Sequence, residues 1–410
     1  MSAPDTREFL SAFTRIGLLS FGGPAAQIAL MHKVLVDEKA WLKEQQFLGA
    51  LSFCMLLPGP EAMQLATYTG WKLRGTLGGL IAGLLFIIPG AIVIFALALL
   101  YITYGAQPWA QAAFLGIKAA VITIVALALR KFASKALTSP LGIAVALAAF
   151  AGFTAVGAPY PLIIVAAALT GALFMRSNAP PDTTPASPQA LTKTLRTLLI
   201  GVLLWLTPLA LLWALQATFL TELASYFTRL ALLSFGGAYA LLGWMTQTVV
   251  QDYGWITTPQ MIDALGMAET TPGPLILVTQ FVGHLAGYGQ GGFALMVLAG
   301  LLTLWMTFTP CFLWIFAGAP YLEQLLAMPR LKGALAAITA AVTGVIASLS
   351  LWFALSVLLP DHTLSSFNWQ AALLIGTGVL IAWRSKASLG LLIGGNALIG
   401  LALAAISGAI

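Results

Sequence analysis

The sequence predicts an all-α polytopic membrane protein built from two related halves, and three observations carry that prediction. Of 410 residues, 60% are apolar and only 8% are charged, with a mean hydropathy of +0.95. Apolar runs long enough to cross a bilayer follow one another along the chain. Finally, a set of Gly- and Pro-rich break motifs occurs twice in the same order.

Charge comes first. An ordinary soluble domain carries about 25% charged residues, and a soluble chain of this size could not shield so much apolar surface. In lipid, a helix needs about 20 mostly apolar residues to cross. The net charge of +6 and a pI near 9.4 fit the accumulation of Lys and Arg on the cytoplasmic side of membrane proteins. No basic run is interleaved with aromatics, which argues against nucleic acid as a partner. Cys54 and Cys311 are lone residues in apolar segments and read as packing groups. No His/Cys spacing suits zinc, so no metal or other cofactor is expected. Residues 1–8 lack the layout of a signal peptide.

The apolar runs are 9–31, 45–71, 76–104, 108–130, 139–154 and 159–176, then 195–218, 222–250, 257–286, 291–318, 331–359, 369–383 and 386–409. Between the two sets lies a polar, Pro-rich stretch. The expected organisation is a first repeat over 1–176, a cytoplasmic linker over 177–194, an extra connecting transmembrane helix over 195–221, and a second repeat over 222–410. Gly22-Gly23-Pro24 and Pro58-Gly59-Pro60 interrupt the first two runs. Such residues remove helical backbone bonds, which in lipid must be satisfied again by protein or by a water-filled cavity. Broken or re-entrant helices are therefore expected there.

The repeat is exact enough to measure. FTRIGLLSFGG at 13–23 returns as FTRLALLSFGG at 227–237, matching at nine of eleven positions with an offset of 227 − 13 = 214. The same offset carries Trp41 to Trp255, Pro58-Gly59-Pro60 to Pro272-Gly273-Pro274, and Lys118 to Lys332, each lysine read as heading a helical run. Lys33, Lys39, Lys43, Lys72, Arg74, Arg130, Lys131 and Lys135 fall on one side when the broken runs are hairpins. Arg176, Lys193, Arg196, Arg330, Lys332, Arg384 and Lys386 follow by alternate crossings. Loops near 105, 156, 220, 253, 288 and 363 contain neither Lys nor Arg, which places the basic side in the cytoplasm. Hairpins give nine crossings and spanning runs give thirteen. Either count inverts the second repeat relative to the first, the architecture of secondary transporters.

Broken helices present backbone N–H groups and a positive end-dipole, which suit an anion. The candidate site comprises Ser20, Gly22, Gly23, Ser234, Gly236 and Gly237 at the Gly pairs, with Gly59, Gln64, Thr270, Thr271 and Gly273 at the Pro-Gly-Pro elements. Arg15 and Arg229 precede the two serines by five residues. Each is either a guanidinium fork for an oxyanion or a side chain snorkelling to the interface. Glu269 and Glu61 flank the Pro-Gly-Pro elements and are candidates for proton coupling, Glu269 ranking first. For Glu61 the alternative is a carboxylate suiting the first turn of a helix. Lys118 either adds positive field or anchors a helix end, and His284 reads as an incidental residue on an external-facing turn. No P-loop, GxSxG, HExxH or kinase signature is present, so an enzyme is not expected.

At FTRIGLLSFGGPAAQ (13–27), LLPGPEAMQLATYTGW (56–71), LFIIPG (85–90), SFGGAYA (234–240) and TTPGP (270–274), the chain resembles the chromate ion transporter (CHR) family, in its full-length, two-domain form. The likeness covers essentially the whole chain outside the linker and the run 195–218. It implies efflux of chromate from the bacterial cytoplasm across the inner membrane, with protons as coupling ion and sulfate as a chemical analogue. Uptake or exchange of sulfate or another tetrahedral oxyanion is the alternative. A non-transporting receptor or membrane enzyme is a distant third. Ala238 departs from the pattern, standing where the first repeat has Pro24. The partners expected are chromate or sulfate, protons and the lipid bilayer, with a homodimer as the commonest oligomer.

Inversion makes a direct prediction. With Cys54 and Cys311 replaced, single cysteines at Gly105 and Tyr288 should both react with an impermeant reagent from the periplasm. Reaction only from the cytoplasm at either position would overturn the inverted arrangement.

Overall fold

The computed structural model describes residues 4–175, 188–235, 238–361, 363–384 and 389–408, and among these every regular element is helical. The first repeat runs α1 (Thr6–Leu19), α2 (Gly23–His32), a π-helical turn (Lys33–Glu38), α3 (Glu44–Cys54), α4 (Glu61–Tyr104), α5 (Pro108–Ala136), α6 (Pro140–Ala155) and α7 (Tyr160–Phe174). A connecting helix, α8 (Pro188–Ala214), follows. The second repeat runs α9 (Thr218–Leu232), α10 (Ala238–Met245), a π-helical turn (Thr246–Asp252), α11 (Thr258–Glu269), a 3₁₀ turn (Leu275–Leu277) and α12 (Val278–Gly318). A second 3₁₀ turn (Ala319–Tyr321) and α13 (Leu322–Ala327) precede α14 (Pro329–Leu358), α15 (Trp369–Arg384) and α16 (Leu389–Ile406).

Local chemistry sets these boundaries. Asp5 caps α1 by accepting from Arg7 N at 3.1 Å, and Ser139 caps α6 by accepting from Gly142 N at 3.1 Å. Thr257 and Gln260 cap α11 reciprocally. Proline opens α5, α6 and α14, where its missing N–H removes no bond. Of the stretch expected as linker, 177–187 lies outside the described residues. Residues 188–194 form the first turns of α8, Pro188 standing at the helix start.

Among the described residues, five helical segments are long and apolar enough to cross a membrane: Glu61–Tyr104, Pro108–Ala136, Leu191–Ala214, Leu275–Tyr321 and Pro329–Leu358. The helices around the breaks differ. α9, with 15 residues, is longer than α1, α2, α3, α10 and α11. At about 1.5 Å per residue it covers roughly 22 Å of a core about 30 Å thick. The long helices α4 and α12 bend at Arg74-Gly75 and Gly291-Gly292.

The two repeats share the order of seven helices, with α13 and the 3₁₀ turns added in the second, but their offset drifts. It is 273 − 59 = 214 at the Pro-Gly-Pro turns, 292 − 75 = 217 at the bends, and 310 − 89 = 221 at Pro89 and Pro310 inside α4 and α12. The helices α5 and α14 begin at 108 and 329, again 221 apart. Lys118 therefore aligns with Thr339 (118 + 221), and the expected pairing of Lys118 with Lys332 fails. Lys332 lies in the first turn of α14, whereas Lys118 lies well inside α5 rather than at its head.

Packing interlocks the repeats. α5 lies against α15 and α16 of the second repeat, and α14 against α6 and α7 of the first, while α4 packs on α12. The crossings are close because glycine stands at them. A Cβ at Gly116 would lie 2.0 Å from the Asn396 carbonyl oxygen, and one at Gly171 would lie 2.2 Å from that of Gly333. α8 is tied to α12 by Trp205 Nε1–H donating to Met306 O at 3.2 Å and Trp305 Nε1–H donating to Leu204 O at 3.1 Å.

An ionic cluster gathers at the first π-helical turn. Arg15 pairs with Glu38 at 2.6 Å, Lys39 with Glu8 at 2.8 Å, and His32 with Glu44 at 2.6 Å. The hydrogen bond to Glu44 raises the His32 pKa above its ordinary value, and the Arg15 guanidinium lowers that of Glu38.

The close crossings predict that Gly116→Ala and Gly171→Ala each destabilise by about 1–3 kcal/mol through overpacking. Gly376, on α15 with open space where a Cβ would stand, supplies the control. Thermal unfolding in detergent should show a lower Tm for the first two variants and little change for Gly376→Ala. Equal Tm values for all three would contradict the tight crossings.

Candidate functional site

The breaks end helices because the chain turns through conformations that glycine permits. Gly59 and Gly273, at the centres of the two Pro-Gly-Pro turns, have φ of 122° and 87°, a region costly for residues with a Cβ. Their N–H groups cannot enter a helix ladder, and each finds its acceptor in the opposite repeat. Gly59 N donates to Ser234 O at 2.9 Å, and Gly273 N donates to Ser20 O at 2.9 Å. The two bonds exchange under the same offset, 234 − 20 = 273 − 59 = 214. Each serine-containing break thus holds the Pro-Gly-Pro turn of the other half.

Further contacts repeat this exchange. A Cβ at Gly90, next to Pro89 of α4, would lie 2.1 Å from Pro272 O, and a Cβ at Gly59 would lie 2.8 Å from Sγ of Cys311, next to Pro310 of α12. Cys311 is the counterpart of Gly90 (311 − 221 = 90). Each Pro-Gly-Pro turn is therefore enclosed by a helix end and a proline-containing helix of the other repeat.

The polar side chains are less symmetric. Ser20 Oγ donates to Ile16 O at 2.5 Å, Ser234 Oγ to Ala231 O at 2.8 Å, Thr270 Oγ1 to Met267 O at 2.8 Å and Thr271 Oγ1 to Ala268 O at 2.9 Å. These hydroxyl protons are committed to helix carbonyls, leaving hydroxyl oxygens as acceptors. Gln64 Nε2 donates to Pro58 O at 2.8 Å. Gln27, missing from the expected site, donates Nε2–H to Ser20 O at 3.2 Å and Gly273 O at 2.6 Å. The Oε1 atoms of Gln27 and Gln64 are buried with no partner. Ser20, Gln27, Gln64, Ser234 and Thr271 are all buried, so the crossing is closed in this conformation. Gly22 and Gly23 turn with positive φ at the start of α2. Gly236 and Gly237 lie outside the described residues.

The charged candidates scatter. The Arg15 side chain is 47% exposed and engaged by Glu38, and Arg229 is exposed, donating Nε–H to Ser225 O of its own helix at 3.3 Å. A separation of five residues turns about 140° around a helix, so an arginine and its buried serine face different ways. Glu61 opens α4, and the field of Lys135 and Lys131 of α5 reaches it. Glu269 ends α11, buried, and accepts a hydrogen bond from Tyr239 Oη of α10. Lys118 pairs with Asp263 of α11 at 3.4 Å.

His284 departs from its expected place on an external-facing turn. It lies buried inside α12, donating Nδ1–H to Met296 O at 2.9 Å and accepting from Gln280 Nε2 at 3.0 Å. The apolar run ends at 286, but α12 continues to its bend at Gly291-Gly292, which leaves His284 within the helix. Asp263, Tyr101, Tyr239 and Gln27 were also missed. An acidic residue inside the apolar run 257–286 was the available signal for Asp263.

Two open regions lie away from the crossing. A cleft of about 380 Å³ is lined by Glu8, Arg15 and Lys39 among others. A cavity of about 260 Å³ is lined by Thr154, Thr246, Gln247, Gln251 and Ser348 among others.

Because Gln27 serves two carbonyls of the crossing, Gln27→Leu should destabilise the protein by about 1–3 kcal/mol. Leucine already occupies the matching position, Leu241 (27 + 214), so shape alone does not forbid it. A Tm equal to that of the wild type in detergent would show that the amide contributes nothing to the crossing.

Comparison with known proteins follows the same two-part layout. The profile of the chromate transporter family matches residues 7–172 and 221–401, passing over α8. A probable chromate transport protein of Synechococcus elongatus is 32% identical over 346 residues, 83% of this chain and 82% of its own. The chromate transport protein of Pseudomonas aeruginosa is 31% identical over 390 residues, 92% of this chain and 88% of its own. That of Cupriavidus metallidurans is 28% identical over 399 residues, 96% of this chain and 92% of its own. No solved structure matches. With both repeats matched and the apolar helices of a multi-pass membrane protein, the chain is a transporter rather than an enzyme and belongs to the chromate transporter family.

Proposed function

We propose that this protein exports chromate from the bacterial cytoplasm across the inner membrane as a secondary active transporter driven by the proton motive force. The observation that carries the reading is the reciprocal pair of bonds, Gly59 N to Ser234 O and Gly273 N to Ser20 O. They make one central crossing shared by two repeats, as alternating access about a fixed site requires. In this reading the repeats are inverted. The backbone at Gly22, Gly23, Gly236 and Gly237 receives the dianion when the crossing opens, and Ser20, Ser234, Thr270, Thr271 and Gln64 then turn their donors to it from the carbonyls they serve here. The turns at Gly59 and Gly273 are the joints. Arg15 and Arg229, at the surface, draw the dianion inward by their field. Glu269, held by Tyr239, carries the proton, with Glu61 as the alternative carrier. The names of the relatives favour chromate over sulfate as cargo.

Reconstitution into proteoliposomes tests the whole reading. Chromate flux should appear with the wild type and rise several-fold when a pH gradient is imposed. Glu269→Gln should remove most of that rise. Correctly inserted protein with no chromate flux in either condition would sink the transport reading, and flux indifferent to the gradient would sink proton coupling.

A further inference from the structure

A charge pair at the seam between the repeats is left over from this account. Lys118 Nζ of α5 stands 3.4 Å from Oδ2 of Asp263 on α11, with side-chain exposures of 13% and 3%. Tyr101 of α4 donates its hydroxyl to the same oxygen at 2.9 Å. Oδ1 of Asp263 is buried with no partner. Aromatic rings back the tyrosine, Phe114 from α5 and Phe281 from α12.

As a structural tie this pair is poor. A buried ion pair offsets its desolvation only when the geometry is tight and the remaining lone pairs are satisfied. Here the separation exceeds the roughly 2.7–2.9 Å of a charge-assisted bond, and half of the carboxylate accepts nothing. Charges inside a membrane protein at such a cost mark pathways and relays. The location agrees. Lys118 and Asp263 belong to different repeats, so relative movement of the repeats makes or breaks their contact.

The seam also leads to the crossing. Beyond Asp263, α11 continues six residues, about 9 Å, to Glu269 and the second Pro-Gly-Pro turn. α5 runs alongside: a Cβ at Gly266 would meet Ile117 and Val121, and Tyr239, the partner of Glu269, packs on the cluster containing Ala120 and Ile124.

We propose that Asp263 is an internal counter-ion that a substrate oxyanion replaces on Lys118, and that Asp263 leaves the ammonium by taking up a proton. This rests on the oxyanion-transport reading and deepens it. The proton adds to a carboxylate oxygen, the contact with Nζ is lost, and the freed ammonium pairs with the oxyanion. Charge then balances better. A dianion beside the intact pair leaves two net negative charges, and beside Lys118 with protonated Asp263 it leaves one. The charged and titratable groups facing Asp263 are Lys118 from α5 and Tyr101 from α4. Glu269, further along α11, is turned to Tyr239, and His284 of α12 is turned to Gln280 and Phe95.

Purified protein in weakly buffered detergent solution provides the test, with chromate and sulfate as the probes. Binding of either ion to the wild type should take up about one proton per ion, by linkage. Asp263→Asn should abolish the uptake and Asp263→Glu should keep it. Lys118→Gln should weaken binding roughly tenfold or more, as expected on losing a hydrogen-bonded charge. The charge-neutral double variant Lys118→Gln/Asp263→Asn, monodisperse on gel filtration, controls for folding and should bind as weakly as Lys118→Gln. Wild-type binding without proton uptake, undiminished uptake in Asp263→Asn, or a double variant with wild-type affinity would each overturn the proposal alone. Folded wild type that binds neither ion would overturn the oxyanion reading, and the proposal with it.

Discussion

Everything in this molecule hangs on two backbone hydrogen bonds that cross between the repeats, Gly59 N to Ser234 O and Gly273 N to Ser20 O. A helix broken within a membrane protein leaves N–H and C=O groups that lipid cannot satisfy, at several kcal/mol each. Each repeat supplies what the other lacks, so neither forms a complete unit by itself. The exchange extends outward, because α5 and α14 each dock on the last two helices of the opposite repeat. Glycines at the crossings let those backbones approach, replacing side-chain contact with backbone-to-backbone contact.

Much of this frame could be read from the chain alone. The breaks stand out because Gly-Gly and Pro-Gly-Pro are incompatible with an unbroken helix in lipid, and the duplicated FTR…SFGG motif supplies the repeat. The reciprocal pairing was not legible. Hydrogen bonds between residues 59 and 234, or 20 and 273, leave no local pattern, since backbone groups make them. Register was the other failure. A single offset of 214 holds at the breaks, but seven further residues accumulate before α14 (221 − 214 = 7), which misaligned Lys118. The arginines mark another limit: position in a repeat fixes the place along a helix, not the face, and of their two readings the structure has Arg15 and Arg229 exposed. Asp263 was findable by its charge within an apolar run, but its partner Lys118 lies 145 residues earlier (263 − 118 = 145).

Symmetry belongs to the backbone and asymmetry to the side chains. The turns, the π-helical segments after α2 and α10, and the bends recur in both repeats. The ionisable groups do not: Glu269 corresponds to Met55, Glu61 to Leu275, and Lys118 to Thr339. A frame with two equivalent faces can rock between equivalent shapes. Chemistry placed on only one side of it distinguishes one direction from the other.

Gln27 shows what the order of synthesis demands of such a crossing. Ser20 leaves the ribosome 253 residues before Gly273 (273 − 20). At about 5–20 residues per second, its carbonyl waits roughly ten to fifty seconds for that partner. During that interval Gln27 can donate to Ser20 O from within the first repeat. The second repeat has Leu241 at the matching place (27 + 214). By the time Ser234 enters the membrane, the Gly59 N–H that its carbonyl must meet is already there, and no stand-in donor is needed.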